Sequence, residues 1–239
     1  MAEKTALNQI LRSVKNYTYP NRVAAQIKRA NARRHEDKFL RHATGLIHVG
    51  ANTGQERDYY ARHNLDVLWI EPINAVFETL SKNISTYPKQ KAINALVTDK
   101  EDAEYTFNLS SNAGLSSSIL ELKGHKDIWP KVNMVSKIKL KSRTLDSIIS
   151  EDGGNHDALV LGTQGSELLV LKGARNTLER IKFIKSEAAD FEIYEGCTTV
   201  TELSDFLANL GFELYGKFKF ASAKGVGSCY DLIFSRPPV

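Results

Sequence analysis

The stretch GLIHVGANTGQERDYY, residues 45–60, sets an apolar run directly against Gly50 and Gly54 and then a segment able to begin a helix. A strand that ends in bare backbone at the start of a helix is the opening unit of an open α/β sheet, which binds ligands beyond the carboxyl ends of its strands. The rest of the chain continues in that manner. LIHV at Leu46 to Val49 is the predicted first strand, LDVLWI at Leu65 to Ile70 the second and KAINALV at Lys91 to Val97 the third. ALVLG at Ala158 to Gly162 is the fourth and IKFIKSE, residues 181–187, the fifth, with helical patterns between them. Alternation of this kind predicts an α/β fold with a mostly parallel sheet.

A helix after the fourth strand is predicted from Leu168, Leu171, Ala174 and Leu178, and another from TTVTELSDFLANLG, with threonine capping its start and Gly211 its end. FELYGKFKF and SCYDLIFS, joined by ASAKGVG, read as a closing antiparallel pair. The long stretch from EYTFNLSSNAGLSSSIL to SKIKLKSRTLDSII, rich in Ser, Asn and Gly, reads as an irregular loop beside the ligand end of the sheet.

The glycine turn is not a phosphate-binding P-loop, because Gly50 to Gly54 is too tight and no Lys-Ser or Lys-Thr follows. Glu71 lies about twenty residues after Gly50, at the end of the second strand, where an acid accepts hydrogen bonds from ribose hydroxyls. Pro72 ends that strand and fixes the carboxylate. Two ligands fit, a nicotinamide dinucleotide and S-adenosylmethionine; the spacing G-x-x-x-G departs from the dinucleotide fingerprint and favours the second.

The blocks LIHVGANTGQE, WIEPINAVFETL, SRTLDSII and ALVLGTQGSELLVLKGA, in this order, resemble the FkbM-type family of S-adenosylmethionine-dependent methyltransferases over roughly Gly45 to Phe234. The resemblance implies a Rossmann-like seven-stranded class I methyltransferase sheet with helices on both faces. It also implies O-methylation of a sugar, glycan or secondary-metabolite hydroxyl. Carried onto this chain, it puts Gly50, Ala51, Asn52, Gly54 and Gln55 at the amino-acid end of the cofactor and Glu71 at the ribose. Asn94 and Ala95 would lie near the adenine, and Ser117, within the Ser-rich NAGLSSS of Asn112 to Ser118, near the cofactor pocket. His48 replaces an acid common in the family, leaving cofactor contact and burial within the strand both open.

Gly162 is the sharper departure, since the family commonly has Asp there, facing the transferring methyl group. A carboxylate that takes the acceptor's proton is worth ~10²- to 10⁴-fold in rate. Without one at Gly162, Glu187 at the end of the fifth strand is the first candidate base and Glu167, after the TQG turn, the second. A capping role remains open for Glu167. His125 and His156 fall in polar segments and read as solvated. Glu187, Asp190 and Glu192 cluster in sequence, but no metal is expected where the acid at Gly162 is missing. Gly162 leaves three readings open: another base, a disabling substitution, or a non-catalytic S-adenosylmethionine-binding protein.

Residues 1–44 hold ten Lys or Arg against three Asp or Glu, and the remaining chain twenty-two against twenty-five, so the net charge of +4 belongs to a basic helical extension ahead of a domain spanning 45–239. That extension suits an anionic lipid surface, RNA phosphates, the domain's own acceptor site or simple packing on the sheet. An RNA methyltransferase is the less favoured reading, for want of a recognisable RNA-binding module. Cys197 and Cys229 are too few for a disulfide framework. No apolar run approaches the ~18 to 20 residues that cross a bilayer, so the expected location is the cytoplasm, with a small-molecule or glycan acceptor and room for a homo-oligomer.

Overall fold

A computed structural model describes residues 37–237; the basic segment before them lies outside the described residues. A short 3-10 helix, Lys38–His42, leads into β1 (Gly45–Val49), α1 (Arg57–Arg62), β2 (Asp66–Ile70), α2 (Asn74–Ile84), β3 (Gln90–Ile93) and β4 (Leu96–Val97). There follow β5 (Glu104–Ser110), α3 (His125–Ile128), β6 (Met134–Arg143), α4 (Leu145–Asp152), β7 (Ala158–Leu161), α5 (Glu167–Lys172) and α6 (Arg175–Leu178). The chain closes with β8 (Phe183–Ala189), α7 (Val200–Ala208), β9 (Glu213–Ala223) and β10 (Gly227–Ser235).

Seven strands form the main sheet in the order β3-β2-β1-β7-β8-β10-β9. The first five are parallel, and β10 runs antiparallel to both β8 and β9. The direction of chain travel reverses between β1 and β7, so a crevice opens where the two strands end, beyond Val49 and Leu161. Alternation along each strand sorts side chains to two faces. Ile47, Val49, Leu68 and Ile70 join α4, α5, α6 and α7 in one core, whereas Leu46, Val67 and Trp69 meet α1, α2 and the 3-10 helix in the other. The predicted seven-stranded α/β sheet with helices on both faces is the observed one.

The stretch expected to be an irregular loop is instead a second sheet, β4-β6-β5, with a short helix between β5 and β6. Its signal was period-two alternation: Ile138 and Leu140 pack on the small core of Ile73, Val76 and Phe107, while Lys137, Lys139 and Lys141 point outward. The predicted third strand divides at Asn94 and Ala95, its first part pairing with β2 and its second with β6. The helix predicted through Leu168, Leu171, Ala174 and Leu178 breaks at Gly173, where a Cβ would sit 2.2 Å from the Thr98 carbonyl oxygen. Helix α7 begins as expected, with Thr199 and Glu202 forming a reciprocal capping box.

Candidate functional site at the carboxyl ends of the strands

Beyond Val49 the backbone turns sharply. Gly50 has φ +81°, and a Cβ on it would fall 2.3 Å from the carbonyl oxygen of Gly162, so β1 and β7 can approach this closely only with glycine at position 50. The Gly50 and Ala51 amides both donate to the Ile70 carbonyl, which ties the turn to the end of β2. Glu71 completes the arrangement. One carboxylate oxygen accepts from the Asn52 amide at 2.9 Å and the other from the Ile73 amide at 2.8 Å. At 4% exposure, burial pushes the carboxyl up to about 7, against the pull of these two amides.

Neighbouring polar groups extend this framework. The Asn94 side chain donates to the carbonyls of Glu71 and Pro72, at 2.7 and 3.2 Å. Asn52 donates through Nδ2 to the Ala113 carbonyl and accepts through Oδ1 from Gln55. Ala51 and Ala95 are buried beside the strand ends, and Gly54 continues the turn at φ +69°. Ser117, also buried, accepts from the Ser110 amide at 3.0 Å and so shapes the 110–118 loop from within. His48 lies on the α1 face of the sheet, stacked on Trp69 with 5.0 Å between ring centroids and 3.2 Å from the Tyr60 hydroxyl. Its ring is taken up by packing.

The 110–118 loop bridges to the far side of the crevice, where the Ser118 hydroxyl donates to the Gln164 carbonyl at 2.8 Å. Gln164 follows Gly162 in the turn between β7 and α5. Its amide oxygen accepts from the Tyr194 hydroxyl at 2.8 Å, and its amide nitrogen reaches Glu187 at 3.5 Å. Asn52, Ala113 and Gln164 all have positive φ, of 46°, 63° and 56°. Left-handed backbone in residues other than glycine costs of order 1 to 3 kcal/mol each, and three of the five such residues among those described border this crevice.

Glu167, the first residue of α5, accepts from the Gly165 amide at 3.1 Å and is 2% exposed; burial raises its carboxyl to about 7. Glu187, half-buried on β8, lines a cleft together with Gln164, Glu167, Tyr194 and Trp129. No side chain stands at Gly162, and a Cβ there would make only ordinary contacts, 3.6 Å from the Gly50 carbonyl oxygen. The two histidines expected to be solvated are buried. His125 sits 3.0 Å from the Ser116 hydroxyl, its pKa lowered by burial to about 4, and His156 lies beside Asp152. Asp190 accepts from the Ser228 amide and Tyr230 hydroxyl, and Glu192 pairs with Lys123, so these acids of the sequence cluster are separately engaged. Among the described residues, no three His, Cys, Asp or Glu side chains gather as a metal site.

Tyr194, Trp129, Ser116 and the orienting role of Gln164 escaped the sequence reading. Gln164 and Ser116 stood in quoted motifs, the TQG turn and NAGLSSS; Tyr194 and Trp129 join them only through the fold.

Comparison with known proteins agrees with this architecture. The model described as the methyltransferase FkbM domain matches residues 48–214. The 2-O-methyltransferase NoeI of Sinorhizobium fredii (strain NBRC 101917 / NGR234) is 26% identical over 182 residues, which cover 72% of this chain and 74% of that protein. Among solved structures, the METTL16 MTase domain aligns with a TM-score of 0.50 at 12% identity, covering 88% of this chain and 68% of that one. The N-methyltransferase NodS from Bradyrhizobium japonicum WM9 aligns at 0.46 and 8% identity, covering 99% and 97%. With its class I methyltransferase sheet and a domain match spanning most of its length, this chain belongs to the FkbM methyltransferase family.

Proposed function

We propose that the protein is an S-adenosylmethionine-dependent O-methyltransferase acting on a hydroxyl of a sugar, glycan or similar small molecule. The observation that carries the reading is Glu71, a buried carboxylate that clamps the glycine turn to the end of β2. The donor set suits the cofactor. Each oxygen of Glu71 accepts one amide and keeps capacity for a ribose hydroxyl, and the backbone of residues 50–54 offers a surface free of bulky side chains. Asn94 and Ala95 stand where the adenine would lie, and Gly50, Asn52 and Gln55 toward the amino-acid end. The chemistry S-adenosylmethionine supplies when bound is a methyl group already activated on a sulfonium.

The chain itself must hold the acceptor in line, exclude water and receive the hydroxyl proton. Glu187 is the base in this proposal. It lines the cleft and is approached by the Gln164 amide, which the Tyr194 hydroxyl fixes in turn. Glu167 is almost wholly enclosed and committed to the Gly165 amide, which suits it to holding the turn. The hydroxyl acceptor is supported by the NoeI relative, whose name records 2-O-methylation.

Gly162 favours a second reading, a cofactor-binding protein without catalysis. Calorimetric titration of S-adenosylmethionine into this chain and Gly162→Asp, followed by assay of labelled methyl transfer to neutral glycans, separates the two. Binding with turnover in both, and a loss of about 10²-fold or more in kcat in Glu187→Gln, is the expected result. Turnover only in the Asp form favours the second reading, and absence of binding in both overturns the proposal.

A further inference from the structure

β9 is the outermost strand of the main sheet and, among the described residues, pairs only with β10. Its other edge offers backbone N–H and C=O groups along the 11 residues Glu213–Ala223. Natural proteins ordinarily keep such an edge short or guard it with charge, because it templates pairing with another chain. β9 is long, and Lys217 at its centre does not guard it: the Lys217 Nζ lies 4.1 Å from the centroid of the Tyr230 ring on β10, so the side chain turns inward over the sheet. The same edge gathers the apolar surface. Among the described residues, five of the six exposed large hydrophobic side chains are Leu210, Leu214, Tyr215, Phe220 and Val226, on β9 or just beyond its ends. Tyr215 is 64% exposed and Phe220 44%. Each is the extra residue of a register shift against β10, which leaves Gly216 to Lys219 as the regular centre of the strand.

We infer that this edge is the seat of a symmetric dimer, in which β9 of one copy pairs antiparallel with β9 of a second and makes the two sheets continuous. Three features select a second copy of this chain as the occupant. Tyr215 and Phe220 flank the regular centre of the strand on either side, so a two-fold axis there brings Tyr215 of each copy toward Phe220 of the other. Glu213 stands at one end of the strand and Lys219 and Lys224 toward the other, all three exposed. Antiparallel pairing therefore sets opposite charges together, whereas parallel pairing would oppose like charges. The area also suffices. A strand edge of this length with its exposed apolar side chains buries on the order of 800 Å² per copy, the size of a standard stable interface. Phe220 also borders the cleft at Glu187, so the second copy stands beside the crevice. The inference goes beyond the proposed function and does not depend on it.

Sedimentation velocity of the full chain over a concentration series measures its mass in solution. The expected result is a species of twice the chain's mass, formed with a dissociation constant of about 10 µM or tighter, as an interface of this size allows. The double variant Tyr215→Glu, Phe220→Glu changes exposed positions, so it should keep the native circular dichroism spectrum while weakening association about 30-fold or more. Cross-linking reads the arrangement. Cys197 and Cys229 are buried, so a short bismaleimide reports on cysteines introduced along β9. Lys217→Cys, close to the axis, should be joined to its copy. Glu213→Cys should not, because antiparallel pairing holds the two 213 positions roughly 30 Å apart. A single-chain mass throughout the series, association unchanged in the double variant, or joining of Glu213→Cys overturns the inference. Flotation with vesicles of phosphatidylglycerol and phosphatidylcholine, lost in the double variant, from a chain that stays single in solution assigns the edge to a lipid surface and overturns it as well.

Discussion

Replacing Glu71 with Gln tests the clamp at the glycine turn through both stability and ligand binding. The folded protein holds the Glu71 proton up to about pH 7, while the unfolded chain releases it near its ordinary value of 4.5. Between those values the folded state binds more protons, so the Glu71 contribution to stability falls as pH rises through this window and levels off above it. A shift of this size corresponds to about 3 kcal/mol. Glutamine carries no titrating proton. The stability advantage of the native chain over Glu71→Gln is therefore greatest near pH 4.5 and should shrink by about 3 kcal/mol by pH 8. Glu167 titrates over the same window, but it is present in both proteins and cancels in the difference.

Urea unfolding of both proteins at pH 5, 6, 7 and 8 measures that difference, and calorimetry at the same pH values measures S-adenosylmethionine affinity. If the ionised carboxylate receives the ribose hydroxyls, native affinity should weaken about tenfold from pH 8 to pH 6, since the ionised fraction falls by that factor. A hydrogen bond to a charged group is worth ~1.5 to 3 kcal/mol, so Glu71→Gln should lose roughly 10- to 150-fold at pH 8 and show no such pH slope. A stability difference that stays constant with pH would refute the account of Glu71 as a buried titrating clamp. Affinity in Glu71→Gln within threefold of the native value at pH 8 would remove Glu71 from the cofactor site.

Gly50→Ala should destabilise the fold by about 3 kcal/mol or more, or abolish it, because a Cβ would collide with the Gly162 carbonyl in addition to requiring a positive φ. Gly153→Ala is the control: its φ is +67° with nothing within 4 Å of the new Cβ, so thermal unfolding should show a loss of only about 1 kcal/mol. Thr199→Ala removes the reciprocal cap of α7 and should cost about 1 kcal/mol, measured by denaturant unfolding with the m-value unchanged.

Features carried by neighbouring residues were legible in the sequence. Leu46 to Val49 followed by Gly50, and Asp66 to Ile70 followed by Glu71, specify the strand-to-turn units with local information alone, and the Thr199 cap did the same for α7. The 104–149 stretch failed because its turn-forming Ser, Asn and Gly residues masked the alternation of Ile138 and Leu140 with lysines in β6. Breaks at Asn94 and Gly173 answer to tertiary partners, the exchange from β2 to β6 and the Thr98 carbonyl, which no local pattern records. His125 and His156 sit among polar residues in sequence yet are buried in the fold, His125 against Tyr194 from far along the chain. The aromatic cleft was invisible for the same reason. Trp129, Tyr194 and Phe220 come from three segments brought together only when α3, the turn after β8 and β9 are assembled.

The two glycines that meet at the crevice have different causes. At position 50 both backbone conformation and the 2.3 Å approach to Gly162 demand glycine. At position 162 neither does: the backbone there lies outside the left-handed region, and an added Cβ would make ordinary contacts at 3.6 and 4.0 Å. The fold therefore leaves room for a Cβ at 162. In the proposed arrangement the proton acceptor stands one strand away, on Glu187, steadied through Gln164 by Tyr194. That arrangement needs the 163–165 turn to hold the strained Gln164 in place, which is what the Ser118 hydroxyl and the buried Glu167 carboxylate do from either side.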